Sequence, residues 1–214
     1  LTISGWLTIP WRGPSLQSFL RISSVESTAV RVPLQEPLKW TGGIRESASG
    51  LIVELPTDEG LVGVGEAPGP TLPVIQAVID RELTQFLVGQ DPLRIEWLVH
   101  RMEEYSRNWA GVAAYAIAGL EMALWDLKGK ILGASVAELL GGYCREEVPV
   151  IGYLFIDEPE AAAQKASGFV EAGHTELKLK VGRSLSQDYD THPAIRAPVG
   201  LGVKLRLDAH MDWT

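Results

Sequence analysis

The sequence is short of cysteine, of clustered positive charge and of long apolar runs, and each shortage excludes a class of protein. Cys144 is the single cysteine in 214 residues. An internal disulfide framework is excluded, and this usage fits a reducing, cytoplasmic compartment. Lys and Arg number 19 against 27 Asp and Glu, a net charge of −8. The acid is spread along the chain, and phosphate binding needs clustered cations, so nucleic acid is not expected as a partner. No apolar run approaches the roughly 18 residues that span a bilayer, so no membrane partner is expected. The first residues, Leu1-Thr-Ile-Ser-Gly-Trp6, lack the basic region of a signal peptide. Gly63 and Gly65 lack the third glycine and the following helix of a dinucleotide-binding fingerprint. His100, His174 and His192 have no ligand spacing and read as surface positions. There is no internal repeat and no low-complexity segment.

What is present suffices for a core: 46% of the residues are hydrophobic and 21% charged. Residues 1–19 carry Trp6, Pro10, Trp11 and Pro14 without a period and read as an N-terminal extension. Residues 20–146 read as an α+β domain. A strand over 22–34 ends at Pro33 and Pro37, and a loop over 39–50 holds Trp40, Gly42, Gly43 and Arg45. Strands over 51–55 and 60–66 flank the hairpin turn Pro56-Thr-Asp-Glu-Gly60, giving an antiparallel meander. Helices follow. Thr71 with Pro73, and Asp91 with Pro92, are cap-plus-proline starts. Ala113, Ile117, Leu120, Leu124, Leu127 and Ile131 recur at three and four along a helix over 110–130. Ser135-Val-Ala-Glu138 is a capping box, and Gly141-Gly142 stops the helix it opens.

Near Glu147 the rhythm changes, and residues 147–214 read as a second domain. A strand over 148–154 precedes a helix capped by Asp157, with Pro159 in its first turn and Gly173 at its end. The stretch Glu176-Leu-Lys-Leu-Lys-Val-Gly182 alternates: Leu177, Leu179 and Val181 point one way, Glu176, Lys178 and Lys180 the other. A connection over 186–200 leads to a strand ending in Asp208 and His210. Alternation at this spacing implies βαβ crossovers and a parallel sheet, with Lys178, Lys180 and Asp208 on one rim. That rim is where α/β barrels do chemistry.

Four stretches, in this order, resemble the enolase superfamily, and within it the mandelate racemase and muconate lactonizing branch. They are Val64-Gly-Glu-Ala-Pro68; Ala118-Gly-Leu-Glu-Met-Ala-Leu-Trp-Asp-Leu-Lys-Gly-Lys130 with Leu139-Leu-Gly-Gly142; Leu177-Lys-Leu-Lys-Val-Gly182; and Leu205-Arg-Leu-Asp-Ala-His210. The resemblance implies an α+β capping domain followed by the first β/α units of a modified TIM-like barrel. It implies an enzyme that removes the proton alpha to a carboxylate, with Mg²⁺ stabilising the enediolate. Lys180 is then the base, and Lys178 the neighbour that pushes it toward neutrality and touches the substrate carboxylate. Asp208 is the first of three metal carboxylates. Trp40, Arg45, Tyr153 and His210 are substrate-binding candidates, whereas Glu66, Trp125 and Asp126 read as structural. Acid-sugar dehydration or racemisation is the first expected outcome. A muconate-type cycloisomerase or an amino-acid racemase or epimerase is the alternative, and an inactive remnant or interaction module using its free sheet edge is a third. The family also implies a small-molecule carboxylate as substrate and a homo-oligomer when complete.

The sequence departs from the family in three ways. His210 stands where most relatives have Asn. Pro193 and Pro198 fall inside the second barrel helix, where an interior proline costs roughly 3 kcal/mol, so that helix is expected to be short or broken. The chain stops at Thr214, and the two further metal carboxylates and the opposing acid/base group are expected beyond it. The expectation is therefore an N-terminal portion of an enzyme, without Mg²⁺-dependent turnover of its own.

Overall fold

A computed structural model describes residues 20–69, 71–109 and 111–210. The extension over 1–19 lies outside the described residues. The described residues divide into two compact units, one holding those within 20–30 and 50–140, the other those within 31–49 and 141–210.

Three strands, β1 (Glu26–Trp40), β2 (Gly43–Pro56) and β3 (Val62–Ala67), form a sheet in the order β1-β2-β3. The loop expected over 39–50 is instead strand. β1 and β2 run on to a two-residue turn at Thr41 and Gly42, and Gly43 takes a positive φ of 137°. Pro33 and Pro37 do not end β1. It is the edge strand, where proline is tolerated because one side of the strand has no ladder partner to serve.

In the first unit the paired part of β2 and β3 (Leu51 with Ala67 through Pro56 with Val62) carries the helices. These are α1 (Leu72–Val78), a π-helical turn over Ile79–Leu83, a 3₁₀ turn over Thr84–Phe86, α2 (Ile95–Tyr105), α3 (Val112–Leu132) and α4 (Val136–Leu139). α3 buries Ile117, Leu120, Leu124 and Leu127 against Leu51, Val53 and Leu55 of β2. Its approach to β3 is close enough to need glycine. A Cβ on Gly65 would fall on the carbonyl oxygen of Gly119, and one on Gly63 on that of Ala123. The other edge of β3 is closed by α3 itself: Asp126 Oδ2 accepts from Val64 N at 2.8 Å, and Lys130 Nζ donates to Val62 O at 2.6 Å. Asp126 is thus structural, as read. Ser135 and Glu138 form the expected capping box on α4. The other two caps differ. Thr71 caps α1 without a side-chain bond, and the N-cap of α2 is Arg94 rather than Asp91, whose Oδ1 accepts from Leu93 N in the preceding turn. Among the described residues no helix is long and apolar enough to cross a membrane.

The second unit holds β4 (Gly152–Leu154), α5 (Pro159–Glu171), β5 (Glu176–Lys180), α6 (Leu185–Val199) and β6 (Lys204–Asp208), with a parallel sheet in the order β4-β5-β6. No closed barrel forms among the described residues. Leu177 and Leu179 pack with Ala162 and Ala166 of α5 and Ile195 and Val199 of α6. β4 is shorter than the 148–154 expected. Only Gly152–Leu154 face a partner, Leu177–Leu179, and Val148 and Val150 lie exposed. The N-cap of α5 is Glu158 rather than Asp157, whose Oδ1 accepts from Glu158 N at 3.0 Å. α6 is continuous through Pro193 and Pro198, against expectation. Both prolines are exposed, so water can serve the carbonyls they leave unbonded, while Thr191, Ile195 and Val199 hold the opposite face in the core.

Lys165 of α5 ties this unit's hairpin to its helix, bonding Glu36 at 2.9 Å and Asp157 at 3.0 Å. The bond to Glu36 leads in raising the Lys165 pKa above the ordinary lysine value. Desolvation pulls Asp157 upward, but its bonds to Lys165 and Glu158 outweigh this and hold it low. The raised lysine stabilises fully below about pH 10.4 and loses that contribution as the pH climbs further; the depressed carboxylate stabilises above about pH 3.9 and loses its contribution in acid. Lys165→Gln is expected to cost about 0.5–1 kcal/mol in urea denaturation at pH 7 and low salt, and less in high salt, since the lysine is 40% exposed. An unchanged midpoint at low salt would show the network to be energetically idle.

Candidate active site

The alternation in β5 does what the sequence requires of it. Leu177 and Leu179 enter the core, which leaves Lys178 and Lys180 on the opposite face. The β5–β6 register sets Lys180 opposite Asp208. Both ammonium groups converge on one oxygen: Lys178 Nζ is 2.6 Å and Lys180 Nζ 2.9 Å from Asp208 Oδ2. The other oxygen, Oδ1, accepts from His210 N at 3.0 Å. Lys180 also lies 3.3 Å from His210 Nδ1, and the ring of Trp40 meets that imidazole edge to face, with centroids 4.9 Å apart and planes at 87°. Tyr153 pairs with Lys178 across β4–β5, and its ring lies 5.0 Å from Lys178 Nζ.

Burial divides the two lysines. The Lys180 side chain is 7% exposed and that of Lys178 27%. Burial alone pulls the Lys180 pKa down, but the bonds to Asp208 and to Tyr153 outweigh it and hold it above the ordinary value. The expected push toward neutrality is therefore not met in this arrangement, because Asp208 compensates the charge. Asp208 is held far below the usual carboxylate range by the hydrogen bonds from Lys178 and then Lys180.

The structure thus gathers Lys178, Lys180, Asp208, His210, Tyr153 and Trp40. It does not bring in Arg45, which stands exposed on β2, outside this cluster. His100 and His192 are exposed as read, whereas His174 is partly buried, with Nδ1 2.8 Å from Val150 O and its ring on Phe169. Sequence reasoning missed the pairing of Trp40 with His210. No period links residues that far apart, and the only local signal was Gly42, which gives the Trp40 ring room.

Among the described residues no three His, Cys, Asp or Glu side chains converge to hold a metal. Asp208 offers one hard oxygen pair, and Oδ2 is already shared by two ammonium groups. These residues alone do not fit a Mg²⁺ site.

Comparison with known proteins places the chain in a family. The mandelate racemase / muconate lactonizing enzyme N-terminal domain matches residues 22–141. The chain is 31% identical over 200 residues to the N-succinyl-L-Arg/Lys racemase of Bacillus cereus, covering 91% of this chain and 53% of the relative. It is 36% identical over 201 residues to the hydrophobic dipeptide epimerase of Enterococcus faecalis, covering 91% and 55%. The crystal structure of an Enterococcus faecalis dipeptide epimerase complexed with Mg and the dipeptide L-Leu-L-Tyr superimposes with a TM-score of 0.79 at 38% identity, over 91% of this chain and 55% of that one. The chain spans about half the length of the curated relatives it matches. Those relatives are enzymes, and they include racemases, epimerases, dehydratases and cycloisomerases. With its capping-domain match and its lysine–aspartate rim, the chain belongs to the mandelate racemase/muconate lactonizing enzyme branch of the enolase superfamily.

Proposed function

We propose that this chain carries the proton-abstracting half of an active site that acts on the α-carbon of a small carboxylate substrate. The observation that carries the reading is the convergence of Lys178 and Lys180 on a single oxygen of Asp208, at the C-terminal ends of adjacent parallel strands. Lys180 is the base. The α C–H bond breaks, its electron pair passes into the carboxylate as an enediolate, and the proton goes to the Lys180 amine. Lys178, the more exposed of the pair, meets the substrate carboxylate. Two ammonium groups on one oxygen repel each other. Any contact that draws Asp208 from Lys180 leaves Lys178 to drive Lys180 toward its neutral, proton-accepting form.

Mg²⁺ is the cofactor that family membership implies. We assign it one ligand here, Asp208, and place the complementing carboxylates outside the described residues. Tyr153, Trp40 and His210 line the substrate side, and Arg45 is a candidate from the hairpin. Dehydration of a hydroxy acid is the first reading of the outcome, and racemisation or epimerisation of an amino-acid derivative is the second. The second gains support from the 36% identity to the dipeptide epimerase.

The test is α-proton exchange in D₂O, followed by NMR, across hydroxy acids, N-acyl amino acids and dipeptides. Lys178→Met is expected to raise KM for the exchanging substrate by about tenfold or more, the loss of one charge-assisted contact. An unchanged KM and kcat in that variant would remove Lys178 from the site.

A further inference from the structure

β4 and the residues after it bring a second ring to the site beside Tyr153. Burial alternates here: Leu154 and Ile156 are buried, whereas Tyr153 and Phe155 are half-buried. Extended backbone therefore sets Phe155 on the same side as Tyr153, and the two rings meet, with centroids 4.6 Å apart and planes at 63°. The β4–β5 register pairs Tyr153 with Lys178 and Leu154 with Leu179. Continued by one residue, it brings Phe155 level with Lys180, which in turn faces Asp208 on β6. The backbone just beyond is anchored, since Ile156 N donates to Lys39 O at 2.9 Å. Phe155 thus stands at the C-terminal rim of the parallel sheet, on the level of the proposed base. Its ring has no hydrogen-bonding atom, and Tyr153 adds a single hydroxyl.

We infer that Phe155 is a specificity-determining residue: it contacts the substituent on the substrate's α-carbon and selects carboxylates with an apolar or aromatic group there over polyhydroxy acids. This rests on the reading of Lys180 and Asp208 as the site, and it holds for dehydration and for racemisation alike. An apolar substituent laid on the ring leaves water with a gain in free energy. A chain of hydroxyls in the same place gives up its water without receiving hydrogen bonds in return. The ring contact with Tyr153 also holds Phe155 in place before the substrate arrives, so little side-chain freedom is lost on binding.

The experiment compares 2-hydroxyhexanoate with gluconate. Both are 2-hydroxy acids of the same chain length, and they differ in the hydroxyls along the chain. Binding to the 214-residue chain, without metal, is read from the ligand's own NMR signals by saturation transfer, and ring contact from ¹³C-labelled phenylalanine. The chain has four phenylalanines, and Phe155 is assigned by its absence in Phe155→Ser. The expected result is that 2-hydroxyhexanoate binds about tenfold or more tightly than gluconate and displaces the Phe155 signals. Phe155→Ser is expected to bring the two affinities together. If that variant fails to fold, Phe155→Leu serves: it is expected to keep the preference for the apolar acid, because the side chain stays apolar. Equal or tighter binding of gluconate, Phe155 signals that neither acid displaces, an unchanged preference in folded Phe155→Ser, or a lost preference in Phe155→Leu overturns the inference. The readout requires no turnover. Absence of α-proton exchange with the preference intact would refute Lys180 as the base and leave Phe155 standing, and loss of the preference would leave Lys180 as the base.

Discussion

Lys180→Ala is expected to lower α-proton exchange by about 10²- to 10⁴-fold, the range that a single general base contributes. The measurement is deuterium incorporation at the α-carbon, in enzyme active toward its carboxylate substrate. The loss should fall on kcat with little change in KM, because in the proposed site Lys180 takes part in the proton transfer while Lys178 retains the carboxylate contact. Stability should not account for the loss. Removing a lysine that is 7% exposed leaves Asp208 still paired with Lys178 at 2.6 Å, so no buried charge is stranded. The reverse change should behave differently: Asp208→Ala leaves the nearly buried Lys180 without its compensating carboxylate. Undiminished exchange in folded Lys180→Ala would refute its assignment as the base.

The second large effect concerns the fold of the first unit. Gly65→Ala is expected to cost at least about 3 kcal/mol, the upper end of what overpacking does. The added Cβ would meet backbone, the Gly119 carbonyl and, at 2.8 Å, the Ala123 nitrogen, and backbone cannot swing aside. A domain of ordinary stability, about 5–15 kcal/mol, would lose a large share of its margin. Gly168→Ala on α5 is the control. Nothing lies within 4 Å of its added Cβ, and helix propensity alone should stabilise it by about 0.5–1 kcal/mol. Urea denaturation of the two variants decides the matter. If Gly65→Ala unfolds at the wild-type midpoint, α3 does not press on β3 as described.

Comparing the structure with what its residues alone predict separates local rules from tertiary ones. The period of two through Leu177–Lys180 and the parallel spacing to Asp208 were enough to set three charged groups on one rim, because both depend only on strand geometry. The capping box on α4 and the buried stripe of α3 were legible for the same reason. The errors share a cause. Pro33 and Pro37 stop a strand only if their missing donors are needed, and β1 is an edge; Pro193 and Pro198 break a helix only if the freed carbonyls are buried, and these prolines lie on the exposed face of α6. In each case a residue's position in the assembled sheet or helix, which no local window contains, decided the outcome. The Trp40–His210 contact is of the same kind. Gly63 and Gly65 lack the pattern of a nucleotide-binding fingerprint, and their reason for being glycine appears only when α3 is laid against β3.

The two prolines of α6 have a consequence on the other side of the folding equilibrium. Each fixes φ near the helical value in the chain before it folds as well as after. The unfolded ensemble of this segment is therefore narrower than that of a proline-free helix, by about 0.4–1 kcal/mol per residue where the native backbone accepts the ring. That is comparable with a net hydrogen bond of about 1 kcal/mol, the quantity each proline removes from the helix. α6 thus recovers in conformational entropy, which never has to be lost, a part of what its two interior prolines cost it.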